Sequence, residues 1–292
     1  MQDFILSTSS TADLPKSYVE EHGLNYLKFS LIISDEQYPD DFADAMPAGV
    51  FYNRLRNGEM SRTSMINTST FEENFRGFLD AGKSILHIEF SSALSGSYEN
   101  AAAVARKLNP EYQDRGVRVV VIDSLCASLG QGLIVDYARR MRDEGKSLDE
   151  IAAWVEANKL KLIHWFTVND LDFLRRGGRV SGFSAFLGGM LKIKPVMDVD
   201  NLGRLIPLYK VRGRKKAIKT LFEKMVADID HPEGQQVFIS HGDCIEDAEK
   251  LADMVREKWP SVNVMINYVG AVIGSHSGPG TLALFYIGKK RT

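Results

Sequence analysis

Cysteine is scarce: Cys126 and Cys244 are the only two in 292 residues. Their separation excludes a disulfide framework and a CxxC metal or redox pair, and it suits a reducing compartment. An excess of charge of one sign is also missing, with 36 Lys and Arg against 38 Asp and Glu. A chain devoted to wrapping nucleic acid would carry a strongly basic domain, so no nucleic-acid partner is expected. No run approaches the ~20 apolar residues that cross a bilayer, and the start, Met1-Gln2-Asp3-Phe4-Ile5-Leu6, lacks a basic segment ahead of a long apolar one. A cytoplasmic protein with no membrane span is the expectation. Three chemical signatures are absent as well: the GxxxxGK(S/T) phosphate loop, the GxSxG nucleophile elbow and the HExxH pair. Without repeated Cys/His pairing, no metal site and no cofactor is expected.

What is present is ordinary globular composition, 44% hydrophobic and 25% charged, on a chain roughly twice the usual single-domain length. Short apolar runs alternate with helical patterns, as parallel βαβ construction requires. Phe4-Ile5-Leu6 predicts a strand, Pro15 opens a helix where its missing N–H is harmless, and Leu24 to Ile33 predicts one extended stretch. Ser69 and Glu72 are spaced as a capping box for a helix whose buried stripe is Phe71, Phe75, Phe78 and Leu79. Strands are predicted at Ile85–Ile88 and Val117–Ile122, with an alanine-rich helix over Tyr98–Leu108 between them. Ser147 and Glu150 predict a second capping box before Ile151–Asn158. From about Lys161 the texture changes. Leu162–Val168 reads as a strand, Leu171–Arg176 as a short helix, and Asp200 to Gly203 as the turn of an antiparallel hairpin. Helices are predicted over Lys216–Ile229 and Ile245–Trp259, and strands at Val237–Ser240, Val262–Tyr268 and Leu282–Ile287. A boundary near residue 165 follows from this change.

Polar turns end several predicted strands: Ser7 to Thr11, Ser91 to Ser97, Asp123-Ser124 and His241-Gly242-Asp243. In an open α/β sheet such strand ends form the crevice that holds ligands, so these four turns are candidates for one rim. Ser97 is placed to cap the following helix, and Gly96 allows close backbone approach. Thr63-Ser64 reads as part of a hydroxyl-rich turn. The densest signal is the glycine-rich loop Gly270 to Thr281, where small neighbours bring His276 to a crowded point. Lys210, Arg212, Arg214, Lys215, Lys216 and Lys219 form a basic run. Such a run is either a solvated helix face or a docking patch for an acidic partner.

Taken in order, Ser9-Ser10-Thr11-Ala12-Asp13-Leu14, Thr63-Ser64, Ser91 to Tyr98, Phe173 to Val180, Lys192-Ile193-Lys194-Pro195 and Gly274 to Gly280 resemble the motifs of the DegV family, fatty-acid-binding proteins that include the B-type subunits of fatty acid kinase. The resemblance covers essentially the whole chain. It implies two α/β domains, 1–165 with a mostly parallel sheet and 166–292 with a mixed sheet, and one long-chain fatty acid between them. By position, the acyl carboxylate would lie among Thr63, Ser95 and His276, with Ser64, Ser10, Gly96 and Ser277 as further rim. It implies a carrier rather than an enzyme: a separate ATP-dependent kinase subunit phosphorylates the bound fatty acid, with Arg179, Arg212 and Arg214 as its candidate docking residues. The chain departs from the family pattern twice. Ser9-Ser10-Thr11 replaces the usual Asp-Ser-Thr, and Met65-Ile66 replaces Gln-Pro after Thr63-Ser64.

A tail of about 14 methylenes at about 0.8 kcal/mol each offers on the order of 11 kcal/mol before ordering costs. The carboxylate then needs donors at the mouth. Phe166, Phe173, Phe183, Phe186, Leu187, Met190 and Leu191 are the expected tail lining, and Gly182, Gly188 and Gly189 among them suggest a gate. The alternative is a Ser/His acyl-ester hydrolase with Ser95 as nucleophile and His276 as base. A third reading, nucleic-acid binding through Lys210 to Lys219, would show steep salt dependence.

Overall fold

The computed structural model describes residues 4–180 and 193–291. Phe4, Ile5 and Leu6 open β1 (Phe4–Ser9), and Pro15 leads into α1 (Lys16–Glu21). β2 (Asn25–Leu27) returns parallel to β1. The single stretch expected from Leu24 to Ile33 is broken at Phe29, whose amide donates to Ser10 Oγ at 3.1 Å while its ring enters the core. The chain resumes as β3 (Ser30–Ile33), β4 (Glu36–Pro39), α2 (Ala48–Arg56) and β5 (Ser61–Ser64). β3 pairs antiparallel with both β4 and β5, making a small third sheet.

α3 (Thr68–Asp80), β6 (Ser84–Glu89), α4 (Ser97–Glu111) and β7 (Val119–Asp123) complete the first large sheet, ordered β2-β1-β6-β7 and parallel throughout. Phe71, Phe75 and Leu79 are buried on α3, with Phe78 half-buried beside them. The Ser69–Glu72 box does not form. The helix begins at Thr68, so Asn67 is its cap and takes the Thr70 amide at 2.9 Å, while Glu72 is drawn to Arg76 and Lys107. α5 (Leu129–Asp143) follows, and then α6 (Leu148–Asn158), whose Ser147–Glu150 box is complete.

β8 (Leu162–Thr167), α7 (Asp172–Gly177), β9 (Ile193–Val199), β10 (Leu205–Arg212), α8 (Arg214–Asp228), β11 (Gln236–His241), α9 (Ile245–Lys258), β12 (Asn263–Tyr268), α10 (Ala271–Ser277) and β13 (Leu282–Ile287) build the second half. Its sheet runs β10-β9-β8-β13-β11-β12, antiparallel except for β11–β12. A parallel sheet first and a mixed one second is the α/β class that was expected. The change of sheet comes at Lys159–Lys161; residue 165 itself lies inside β8.

α5 lies between the two large sheets and joins their cores. Its Leu129 and Leu133 share one cluster with Leu6 and Ile88 from the first sheet and with Phe166, Phe238 and Phe285 from the second. Among the described residues no helix is long and apolar enough to cross a membrane.

Candidate functional site

A cavity of about 370 Å³ opens beside the start of α5, walled by the second large sheet, β5, α10 and the segments that follow β2, β6 and β7. This size falls within the usual range for small-molecule sites. Phe29, Phe90 and Leu94 line it from the first half, and Phe166, Val199 and Phe285 from the second. Thr63, Ser64, Ser95, Gly96, Arg179, His276 and Ser277 line it as well.

Thr63 is carried on a strand rather than on the turn expected from its neighbours. β5 registers Thr63 opposite Leu31, and alternation along the strand leaves Arg62 exposed. His276 likewise sits on a short helix, not in an open loop. Gly274 makes that helix possible at this place, since a Cβ there would stand 2.6 Å from Tyr52 Oη. The end of α7 closes over the imidazole at Gly177, where a Cβ would meet His276 Nδ1 at 2.3 Å. Thr63 Oγ1 and His276 Nε2 are 2.9 Å apart, joining the small sheet to α10.

Burial, reinforced by the nearby Arg179 guanidinium, lowers His276 to about 4. The imidazole is therefore neutral near pH 7. Its Nδ1 is buried without a hydrogen-bond partner, as is Ser277 Oγ. Ser95 Oγ accepts the Ser97 amide at 3.2 Å. Ser97 is thus not the cap expected of it: Gly96 occupies the cap position, and the Ser97 hydroxyl is itself buried and unpartnered. The Met65 sulfur lies 3.1 Å from where a Cβ on Gly96 would be, which brings the strand of Thr63 against the turn of Ser95.

Other expected positions fall elsewhere. Ser10 lies against a separate cavity of about 290 Å³, because its hydroxyl is committed to the Phe29 amide. Of the four polar turns, only Ser91–Ser97 contributes to the main cavity. Asp123 is occupied by the amides of Ser92 and Leu125, and the Ser7–Thr11 turn is closed in a buried network. Phe173 packs with the small-sheet core beneath Arg176 instead of lining the cavity. Phe183, Phe186, Leu187, Met190 and Leu191, together with Gly182, Gly188, Gly189 and Lys192, lie outside the described residues. Arg214 is engaged with Asp247 at 2.8 Å, so it is not free for docking, whereas Arg212 is exposed on β10. Arg179 stands at the cavity itself and donates to Leu94 O at 3.3 Å.

Ser128, His164 and Ser240 were not anticipated, yet all three line the cavity. Their signal was faint. Ser128 precedes Leu129-Gly130-Gln131-Gly132, whose glycines obscure the helix, and His164 and Ser240 sit inside apolar strand runs. The Ser95–His276 pairing that a hydrolase needs is not made, since His276 Nε2 is engaged with Thr63. Among the described residues no group of three or more His, Cys, Asp and Glu side chains converges as a metal site would require.

The chain matches, over residues 4–289, the family model described as "Uncharacterised protein, DegV family". It is 46% identical over 288 residues to a DegV domain-containing protein of Clostridium perfringens, covering 99% of this chain and 98% of the relative. It is 32% identical over 281 residues to a fatty acid-binding protein of Thermotoga maritima, covering 94% and 93% respectively. Its fold superposes on the solved structure of a fatty acid-binding DegV family protein from Thermus thermophilus with a TM-score of 0.89. That match has 28% identity and covers 99% of this chain and 100% of the other.

Proposed function

This chain belongs to the DegV family, and from that premise we propose that it binds one long-chain fatty acid between its two large sheets and presents the carboxylate to a separate ATP-dependent fatty acid kinase. The observation that carries the proposal is the division of the cavity: phenylalanine and aliphatic walls within, and Thr63, Ser95 and His276 gathered at the partly exposed side. Fatty acid binding is also what the Thermotoga and Thermus relatives are named for.

The chemistry follows from hydrogen-bond accounting. An ionised carboxylate only accepts, so each contact must donate to it. A neutral His276 carrying its proton on Nε2 donates to Thr63 Oγ1, and this leaves the Thr63 proton for the carboxylate. Ser95 Oγ already accepts the Ser97 amide, so its own proton is equally disposable. Donors of this kind hold the head group without the bidentate ion pair that would draw charge from the oxygen destined to attack phosphorus. Arg179 adds a positive charge at the same wall, which suits the transferred phosphoryl group.

In this reading the protein is a carrier with the fatty acid as its ligand, needs no cofactor of its own, and leaves the phosphoryl transfer to its partner. The test is loading followed by transfer. Protein purified from a bacterial host should release fatty acid into a denaturing extract, detected by mass spectrometry, and should take up added palmitate or oleate. With a fatty acid kinase and ATP, the bound chain should become acyl phosphate. His276→Ala should weaken both retention and phosphorylation in a folded protein. Lack of lipid in repeated extracts together with no uptake would refute binding, and unchanged transfer by His276→Ala would refute the head-group assignment.

A further inference from the structure

We propose that Met65 is an oxidation site at the mouth of the cavity, and that its conversion to the sulfoxide by a hydroperoxide weakens the hold on the fatty acid carboxylate. The inference rests on the fatty-acid reading above and adds regulation of that same site.

Exposure singles the residue out. Among the described residues Met60 and Met65 are the exposed methionines, at 58% and 51%, and they flank β5, the strand that carries Thr63. Met46, Met197 and Met225 are buried, and Met141, Met254 and Met265 are half-buried. A thioether must meet the oxidant to react, so the two flanking β5 should react first.

The surroundings of the two sulfurs differ. Arg176 Nη1 donates to Met60 Sδ at 3.2 Å, drawing on the lone pair that would attack an oxidant, and Met60 does not line the cavity. Met65 lines it together with Thr63, Ser64, Ser95 and Gly96. Its sulfur and terminal carbon lie 3.1 and 3.7 Å from the place a Cβ on Gly96 would occupy. The thioether therefore rests on the glycine next to Ser95, within the head-group set and open to solvent.

In the reaction the sulfur lone pair attacks the terminal oxygen of the hydroperoxide. A sulfur–oxygen bond forms as the oxygen–oxygen bond breaks, and the departing oxygen takes up the proton of the transferred one. The sulfur is oxidised, and the hydroperoxide is reduced to an alcohol, or to water when it is hydrogen peroxide. The side chain changes from apolar to polar. A sulfoxide oxygen carries no proton, so like a carboxylate it only accepts. The donors on its wall are the hydroxyls of Thr63, Ser64 and Ser95, which the fatty acid carboxylate also needs. A sulfoxide that takes one of these protons leaves the carboxylate a hydrogen bond short, and its dipole turns a negative end toward the anion. The thioether makes no such demand.

The experiment is palmitate titration of delipidated protein before and after hydrogen peroxide, with peptide mass mapping of the methionines oxidised. Met65 should oxidise ahead of the half-buried methionines, and its sulfoxide should raise the palmitate Kd about five- to tenfold, the scale of one hydrogen bond. Methionine sulfoxide reductases should restore it. Peroxide should act equally on Met60→Leu and should shift the Kd of Met65→Leu by less than about twofold. Protein fully oxidised at Met65 that binds palmitate as the untreated protein does overturns the inference while the fatty-acid reading stands. So does a Met65 that resists peroxide while half-buried methionines react. A loss that persists in Met65→Leu, or that tracks oxidation of Met60 in the map, overturns the assignment to Met65. Untreated protein that binds no palmitate refutes the underlying reading, and this inference goes with it. Should Met65→Leu not fold, whether the loss of affinity keeps pace with oxidation of the Met65 peptide decides.

Discussion

Two hydroxyl-rich turns look alike in the sequence and behave oppositely in the structure. At the end of β1, Ser7, Thr8, Ser9 and Thr11 join His87, Glu89 and Gln131 in a network in which every member is 1% exposed or less. Glu89 accepts from Ser9 at 2.7 Å and from the Phe90 amide at 2.8 Å, His87 bridges Glu89 and Ser7, and Gln131 ties Thr8, Ser9 and Thr11 together. Around Ser95 and His276, by contrast, polar groups are partly exposed or, like His276 Nδ1 and Ser277 Oγ, buried with no partner. A satisfied polar cluster in a low-dielectric interior contributes rigidity, whereas an unsatisfied one costs free energy. Position at a strand end does not separate the two cases; hydrogen-bond accounting does.

The closed network should therefore govern stability and the open one binding. The largest effect is expected from Glu89→Ala, which strands His87 Nε2 and the Phe90 amide and takes one of its partners from the Ser9 hydroxyl. It should cost about 3–5 kcal/mol in urea unfolding, the scale of leaving two buried hydrogen-bonding groups without a partner at about 1–3 kcal/mol each. A loss below about 1 kcal/mol would dissolve the distinction. Gly130→Ala comes next, because its Cβ would stand 2.2 Å from His164 Nε2 and 2.9 Å from the Phe285 ring. Overpacking of this kind costs about 1–3 kcal/mol, and palmitate capacity measured by titration should fall with it.

The pH dependence sharpens the comparison further. His276 titrates near 4 when folded against an ordinary 6.5, so between those limits the unfolded chain binds the additional proton. Its contribution to stability is complete above pH 6.5 and is lost as pH falls toward 4. Replacing His276 with Gln should flatten that part of the unfolding profile by at most about 1.4 kcal/mol per pH unit; a steeper profile would contradict the assignment. Thr63→Val should weaken palmitate binding about five- to tenfold, as loss of one hydrogen bond predicts, while the urea midpoint barely moves. The smallest effect belongs to Arg212→Glu on exposed β10, which should alter stability by less than about 0.5 kcal/mol and leave the lipid content of purified protein unchanged.

Much of the fold was legible because burial imposes period on the sequence. β6, β8, β13 and the Ser147 cap follow directly from apolar runs and from Ser/Glu spacing. α5 was not, since a helix buried from Leu129 through Val135 between two sheets has no polar face to mark it, and Gly130 and Gly132 disguise its first turn. The short strands β3, β4 and β5 offer only four residues each, too few for alternation to declare itself beside polar neighbours. Thr63, Ser95 and His276 were identified through family motifs, and the structure brings all three to one cavity. Ser10 went astray because a turn's composition does not say which way its hydroxyl points. Ser128 and Ser240 went unnoticed because each reaches the cavity through tertiary contact alone.

The central claim is that the apolar cavity holds an acyl tail with its carboxylate on the Thr63–His276 pair. A crystal structure of palmitate-loaded protein tests it most directly. The account predicts one continuous chain of density along Phe90, Phe166 and Phe285, ending in a carboxylate within hydrogen-bond distance of Thr63 Oγ1. Density that ends its carboxylate elsewhere, or a cavity filled only by water after loading, would contradict it.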